Sequence, residues 1–315
     1  MSTTLFFLIP IGLLAIAWSL CFVGCVLSTS GTAIPYSNTI LGEASLVAYW
    51  PLGDPEGPQA LDLTGHGYAG TYTVPPAYPT FPQSVQIATP ALNLHQASIV
   101  SGDIISSSGQ VNKNLFAGCA DFEGGYVSIP WSTQNSPTLT EFTLEAWIKP
   151  NWTGTGFIRV VFGAFVNNTG IVIHINQSNQ WQFTIGTGAA ATVVNTMVPV
   201  DLTSTTYVAV TCDKDTNISL WINPQSQSDM AKPPPPPPTW PASPTPTGYV
   251  PADPTQLLAI FIGAGANDQA LRTQDGGTGA PLFPFQGRIQ DVALYDTPLD
   301  GGTLMDHFAN GQIAG

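Results

Sequence analysis

Residues 142–148 read Phe142-Thr143-Leu144-Glu145-Ala146-Trp147-Ile148, and their apolar side chains alternate. A strand sends successive side chains to opposite faces. Phe142, Leu144, Ala146 and Ile148 therefore share one face, and Thr143, Glu145 and Trp147 the other. Similar short runs recur at 46–50, 126–129, 160–165, 171–175, 181–185, 207–211, 218–222, 258–262 and 287–295. Gly, Pro, Asn or Asp bounds most of them, the spacing expected of an all-β sandwich or barrel. No helical periodicity appears away from the two ends. At the C-terminal end, Asp300 is placed to cap a short helix that sets Leu304 and Phe308 on one face.

The composition agrees with this reading. The chain has 315 residues, and sandwiches of about 200–250 residues form one domain. Charged residues make up only 9%, while Gly (31) and Pro (29) are abundant, which suits short strands joined by turns. The net charge is −13 with only seven Lys and Arg, and none of these precedes Lys113. A nucleic-acid partner is excluded, because phosphate binding needs clustered cations.

The segment 5–27, LFFLIPIGLLAIAWSLCFVGCVL, is uncharged. As a helix it would be about 35 Å long, enough to cross a bilayer core. Leu5, Phe6, Leu13, Leu14, Trp18, Phe22 and Leu27 would face lipid as the anchor. Three readings are open: a retained signal-anchor, a cleaved signal peptide, and a lipoprotein signal ending at Cys25. The first is adopted, with a transmembrane helix at 1–28, a stalk at 29–44 and a sandwich at 45–315. The Lys-poor, Thr- and Ser-rich body is expected outside the cytoplasm, on a single-pass membrane protein. Residues 224–254 carry a run of six prolines, 233–238, and are expected to form an exposed polyproline loop between two strands. A second loop-rich insertion is expected from 74 to about 109.

The motifs, taken in order, resemble a known family. AYWPL at 48–52, followed by ALDLTGHGYAGT at 60–71, is similar to the opening of bacterial laminin-G-like jelly-roll domains. ADFEGGYVSIP at 120–130 resembles the family's hairpin, and FTLEAWIKP at 142–150 its central strand. YVAVT at 207–211, LWIN at 220–223, IGA at 262–264, FQGRIQDVALY at 285–295 and PLDGGTLMDHF at 298–308 follow in family order. The resemblance implies an all-β fold, a two-sheet antiparallel jelly roll of the concanavalin A-like lectin kind, closed by a C-terminal helix. It also implies a structural calcium joining the first turn to the last strand. Asp62 and Asp291 would supply carboxylates and the turn at Gly65 backbone carbonyls. Gln290 stands where the family has an acid, and Asp62 also suits a simple Asx-turn.

No catalytic signature is present. The paired-carboxylate strand of related glucanases is missing, Gly-x-Ser-x-Gly does not occur, and His66, His95, His174 and His307 are scattered. A binding protein, not an enzyme, is expected. Sugar recognition would use aromatic platforms, and Trp131, Trp152 and Trp240 fall in loop-like sequence, whereas Trp50, Trp147 and Trp221 read as core. Cys119 and Cys212 flank predicted strands and would form a disulfide in an exported domain or remain as two buried thiols. The expected role is a membrane-anchored extracytoplasmic module that binds glycan or protein. Alternatives are a structural or accessory subunit of a membrane or surface assembly, and a divergent glycan hydrolase.

Overall fold

The computed structural model describes residues 36–76, 84–85, 87–100, 106–107, 110–111, 118–131, 139–152, 154–224, 248–253, 259–265 and 281–312. The apolar run 5–27, the six-proline run and Trp240 lie outside these residues. No helix among the described residues is long and apolar enough to cross a membrane.

Two antiparallel sheets face each other in a sandwich, consistent with a jelly roll. Strands are numbered along the chain. The first sheet runs β15 (Ile218–Ile222), β14 (Thr206–Cys212), β9 (Phe142–Pro150), β17 (Gln286–Tyr295), β7 (Cys119–Glu123) and β4 (Ala91–Gln96), with β1 (Leu46–Trp50) also on β17. The second runs β13 (Ala191–Pro199), β12 (Gln180–Gly186), β11 (Thr169–Ile175), β10 (Arg159–Val166), β16 (Ala259–Ile262), β8 (Tyr126–Pro130), β3 (Gly70–Thr73) and β2 (Gln59–Ala60). β5 (Ser106–Ser107) and β6 (Gln110–Val111) form a separate ribbon.

The alternation of β9 is realised as read. Phe142, Leu144, Ala146 and Ile148 enter the inter-sheet core with Phe122, Val161, Ile173, Phe183, Val210 and Leu294. The void left between the sheets is about 10 Å³, room for roughly one water and no ligand. The other face of β9 is covered by α1 (Tyr36–Leu41) and α2 (Gly301–Gln312). Tyr36, Ile40, Leu304 and Phe308 pack there on Trp147, Tyr207 and Tyr295. The Trp147 ring stacks on Phe308 at 5.8 Å between centroids. Gly311 lets α2 pass this ring, since a Cβ there would lie 2.2 Å from Trp147 Cζ2. Asp300 caps α2 as expected, accepting the N–H groups of Gly302 and Thr303 at 2.7 and 3.0 Å.

β17 organises the first sheet. Along one edge it pairs wholly with β9. Along the other it pairs first with β7 (Gln286 to Ile289) and then with β1 (Val292 to Tyr295). The handover is a bulge at Asp291, whose φ is +53° and whose N–H bonds to Pro51 O at 3.1 Å. The bulge reverses side-chain parity. Arg288 and Gln290 face outward before it, and Ala293 and Tyr295 after it.

Two expectations about organisation are corrected. Residues 36–41, read as stalk, form α1, with Tyr36 and Ile40 fully buried, so the domain begins earlier than residue 45. The insertion at 74–109 contains β4, which pairs with β7. β13 was also not anticipated. It is an edge strand on β12, and its Val193 and Met197 are exposed, so apolar residues on the solvent side blur the alternation that marks a strand.

Candidate functional site

The sequence-predicted site residues do not gather into one site. Trp131 and Trp152 are only 5% and 6% exposed and belong to the inter-sheet core. Trp131 packs on Tyr68, and Trp152 meets Phe285 edge-on at 5.5 Å. Trp131 directly follows β8 and Trp152 follows β9 after Asn151, and both rings turn into the core. Neither is a stacking platform, which corrects the sugar-platform expectation for both.

Cys119 and Cys212 are buried free thiols, not a disulfide. β7 and β14 are separated by β17 and β9, three inter-strand steps or about 14 Å. A disulfide needs Cα atoms within about 7 Å. Burial pushes both thiols up to about 12, so they stay protonated.

The calcium ligands do not fit a cation. Asp62 accepts the backbone N–H groups of Tyr49, Thr64 and Tyr68, each at 3.1 Å, and the Thr64 hydroxyl at 2.7 Å. Its oxygens face donors, as in an Asx-turn, and Gly65 turns the chain at φ +77°. Asp291 is fully buried and accepts the Tyr49 hydroxyl at 2.5 Å and the Gln290 amide at 3.1 Å. Tyr49 thus holds Asp62 by its backbone and Asp291 by its phenol. Among the described residues no group of three His, Cys, Asp or Glu side chains is arranged to hold a metal ion.

Glu145 could not be placed from sequence. It points outward from β9 but is 1% exposed, because α1 and α2 close over it. Its Oε1 accepts the hydroxyls of Tyr295 at 2.8 Å and Tyr36 at 3.5 Å. Its Oε2 accepts the Tyr207 hydroxyl and lies 3.0 Å from His307 Nδ1. His307 Nε2 lies 3.4 Å from Glu43 Oε1. Burial, then the Glu145 charge, holds the Tyr207 and Tyr295 phenols far above their usual range, so they remain donors. Burial alone would lower the His307 pKa, but Glu145 and Glu43 outweigh it and raise it. A carboxylate has about four lone-pair sites, and here all are occupied. Glu145 is a clamp for the two helices.

The raised His307 pKa carries a pH prediction. The imidazolium's contribution is complete below the ordinary histidine value and is lost as pH rises through the raised folded value. The urea midpoint should therefore fall as pH rises from the ordinary histidine value through the raised one, and His307→Gln should flatten that slope. An equal slope in both proteins would refute the assignment.

Half of the first sheet's outer face lies beyond the helices and is polar. Asp121 and Glu123 project from β7, Gln286 and Arg288 from β17, Lys149 from β9, and Asn151 follows β9. Arg288 stands between Asp121 and Lys149 in register, and Gln286 faces Glu123. Asn151 Nδ2 donates to Glu123 Oε1 at 2.5 Å and lies 3.4 Å from Asp121 Oδ1. Arg288 Nε is 3.7 Å from Asp121 Oδ2. These groups are partly exposed or exposed. Sequence reading treated the carboxylates singly. The signal available was the Asp121-Phe122-Glu123 period of two, which places both on one face.

No curated protein sequence matches the chain. Domain 4 of AbnA, an extracellular arabinanase from Geobacillus stearothermophilus solved with arabinotriose, is similar in structure. It has a TM-score of 0.50 and 16% identity, over 84% of this chain and 98% of that one. The binding domain of botulinum neurotoxin DC, solved with rat synaptotagmin II, gives a TM-score of 0.46 and 13% identity over 85% of this chain and 52% of that one. The arabinanase domain bears out the fold. Residues 121–256 match the family model described as the concanavalin A-like lectin/glucanases superfamily, so this central part of the chain, from β7 past β15, is similar to that family.

Proposed function

We propose that the chain is a non-catalytic binding module that recognises a glycan on the open polar half of the first sheet's outer face. The observation that carries this is the group Asp121, Glu123, Asn151 and Arg288, joined by two Asn151 hydrogen bonds and the Arg288–Asp121 ion pair and still partly open to water. Acid, amide and guanidinium groups in one plane match the alternating donors and acceptors of sugar hydroxyls. The carboxylate pair stands on an open face, where nothing shelters a proton or excludes water, so binding fits it better than hydrolysis. The apolar run 5–27 would tether the module to a membrane with the sandwich outside the cytoplasm.

Binding of neutral oligosaccharides, arabino-oligosaccharides included, should be saturable on a glycan array. Asn151→Ala should weaken it about tenfold, the loss of one or two polar contacts. Unchanged affinity in Asn151→Ala would move the site elsewhere. Release of shorter sugars, abolished by Asp121→Asn, would replace the module by a hydrolase.

A second reading, a subunit of a larger assembly, is favoured by β13. This edge strand shows Val193 and Met197 at 55% and 65% exposure and carries no charge among its residues. Such an edge is a template for strand pairing with a protein partner. Co-purification at fixed stoichiometry without glycan binding would support it.

A further inference from the structure

Arg159 opens β10 at the end of the loop that leaves β9, and it is 2% exposed. Its guanidinium carbon lies 4.3 Å from the Trp152 ring centroid and 5.8 Å from that of Phe157. The hydrogen bonding of this cation is thin. Nη1 reaches Phe157 O at 3.4 Å, and Nε has no partner. Among the described residues no carboxylate stands within ion-pair distance of it. Burial brings its pKa down to about 10, so it is still charged at neutral pH. A buried, unpaired cation is costly and is retained where something compensates it. The aromatic wall compensates only in part.

The loop above is open. Gly154 and Gly156 adopt φ of +88° and +100°, with nothing within 4 Å of where a Cβ would sit. The loop is pinned by the β11–β12 turn. Asn179 accepts from Trp152 Nε1 at 3.2 Å and donates to Gly154 O at 2.9 Å, and Gly156 N donates to Gln177 O at 2.7 Å. Phe157 covers the guanidinium and is itself 38% exposed.

We propose that Arg159, backed by Trp152, forms an oxyanion-binding subsite that takes the carboxylate or sulfate of an acidic sugar when the Gly154–Phe157 turn lifts. A guanidinium offers a flat fork of donors that matches such a group. The indole shields one face of the fork from water. This subsite stands on its own observations, independent of the polar face.

The test titrates the full chain with glucuronate, glucose 6-sulfate and glucose, read by tryptophan fluorescence and by thermal shift. Glucuronate, glucose 6-sulfate or both should bind saturably, and the pair identifies which oxyanion is preferred. Glucose should not produce the signal. Arg159→Met fills the same volume without charge. It should melt no lower than the parent, bind either anion at least about tenfold more weakly, and keep any neutral-glycan binding at the polar face. If neither anion binds, or if Arg159→Met binds them as the parent does, the subsite does not exist. If Arg159→Met melts well below the parent, the guanidinium is a structural group and the inference fails.

Discussion

Glu145→Ala is expected to lower stability by about 3–5 kcal/mol, enough to leave much of a marginally stable domain unfolded at 37 °C. The change removes the one acceptor shared by Tyr36, Tyr207, Tyr295 and His307. Each phenol is buried, and a buried donor without a partner costs about 1–3 kcal/mol. Water cannot replace the carboxylate unless the helices lift. The variant should therefore expose Trp147, seen as a red-shifted emission, before the inter-sheet core melts. Glu145→Gln is the sharper probe, because it keeps the shape and one acceptor but turns an amide donor toward a hydroxyl or the imidazole. It should lie between parent and alanine. A Glu145→Ala protein as stable as the parent would show that the cluster is not what holds α1 and α2 in place.

Gly170→Ala is the second change with a large expected effect, about 3–5 kcal/mol from backbone strain and overpacking together. Gly170 has φ +96°, outside the region that an alanine tolerates. A Cβ there would stand 1.9 Å from the Ala164 carbonyl oxygen, a backbone atom that cannot turn aside. The Gly170 N–H also bonds to Val250 O at 2.7 Å, so the β10–β11 hairpin cannot shift without losing this contact. Chemical denaturation should show the loss as a lowered midpoint. A neutral result would mean that this hairpin adopts another turn.

The strands were legible because each is a short alternating run with turn residues at both ends. Residues 142–148 announced β9, and 287–295 announced β17, where even a bulge did not hide the apolar content. β4 and β13 escaped because Asn93, His95 and Gln96 in one, and exposed apolar positions in the other, break the pattern on an edge. The site was less legible, for physical reasons. Strand order is a property of the folded sheet, so a cysteine pair plausible along the chain was separated by two intervening strands. Trp131 and Trp152 keep the inward parity of Val127 and Ile129 and of Ala146 and Ile148, but the loop-like sequence around them hid it, so they were assigned to solvent although their rings fill the core. Glu145 could be seen as outward-facing, but its partners come from 62 to 162 residues away. Arg159 had a signal that went unused. A lone cation opening an otherwise apolar strand, just after Trp-x-Gly-x-Gly, is out of place unless something anionic meets it.

β17 also dictates when this domain can come together during synthesis. Its partners β1, β7 and β9 are all made well before it, and none of them can close the first sheet without it. While the ribosome is still short of residue 286, β9 has an open edge where its neighbour belongs, and α2 has not yet appeared to cover Glu145. The nascent chain must therefore stay soluble with its central seam vacant, and the sheet closes late, by pairing across most of the sequence. Loss of a short stretch at the C-terminal end would thus disable the middle of the molecule and not its margin.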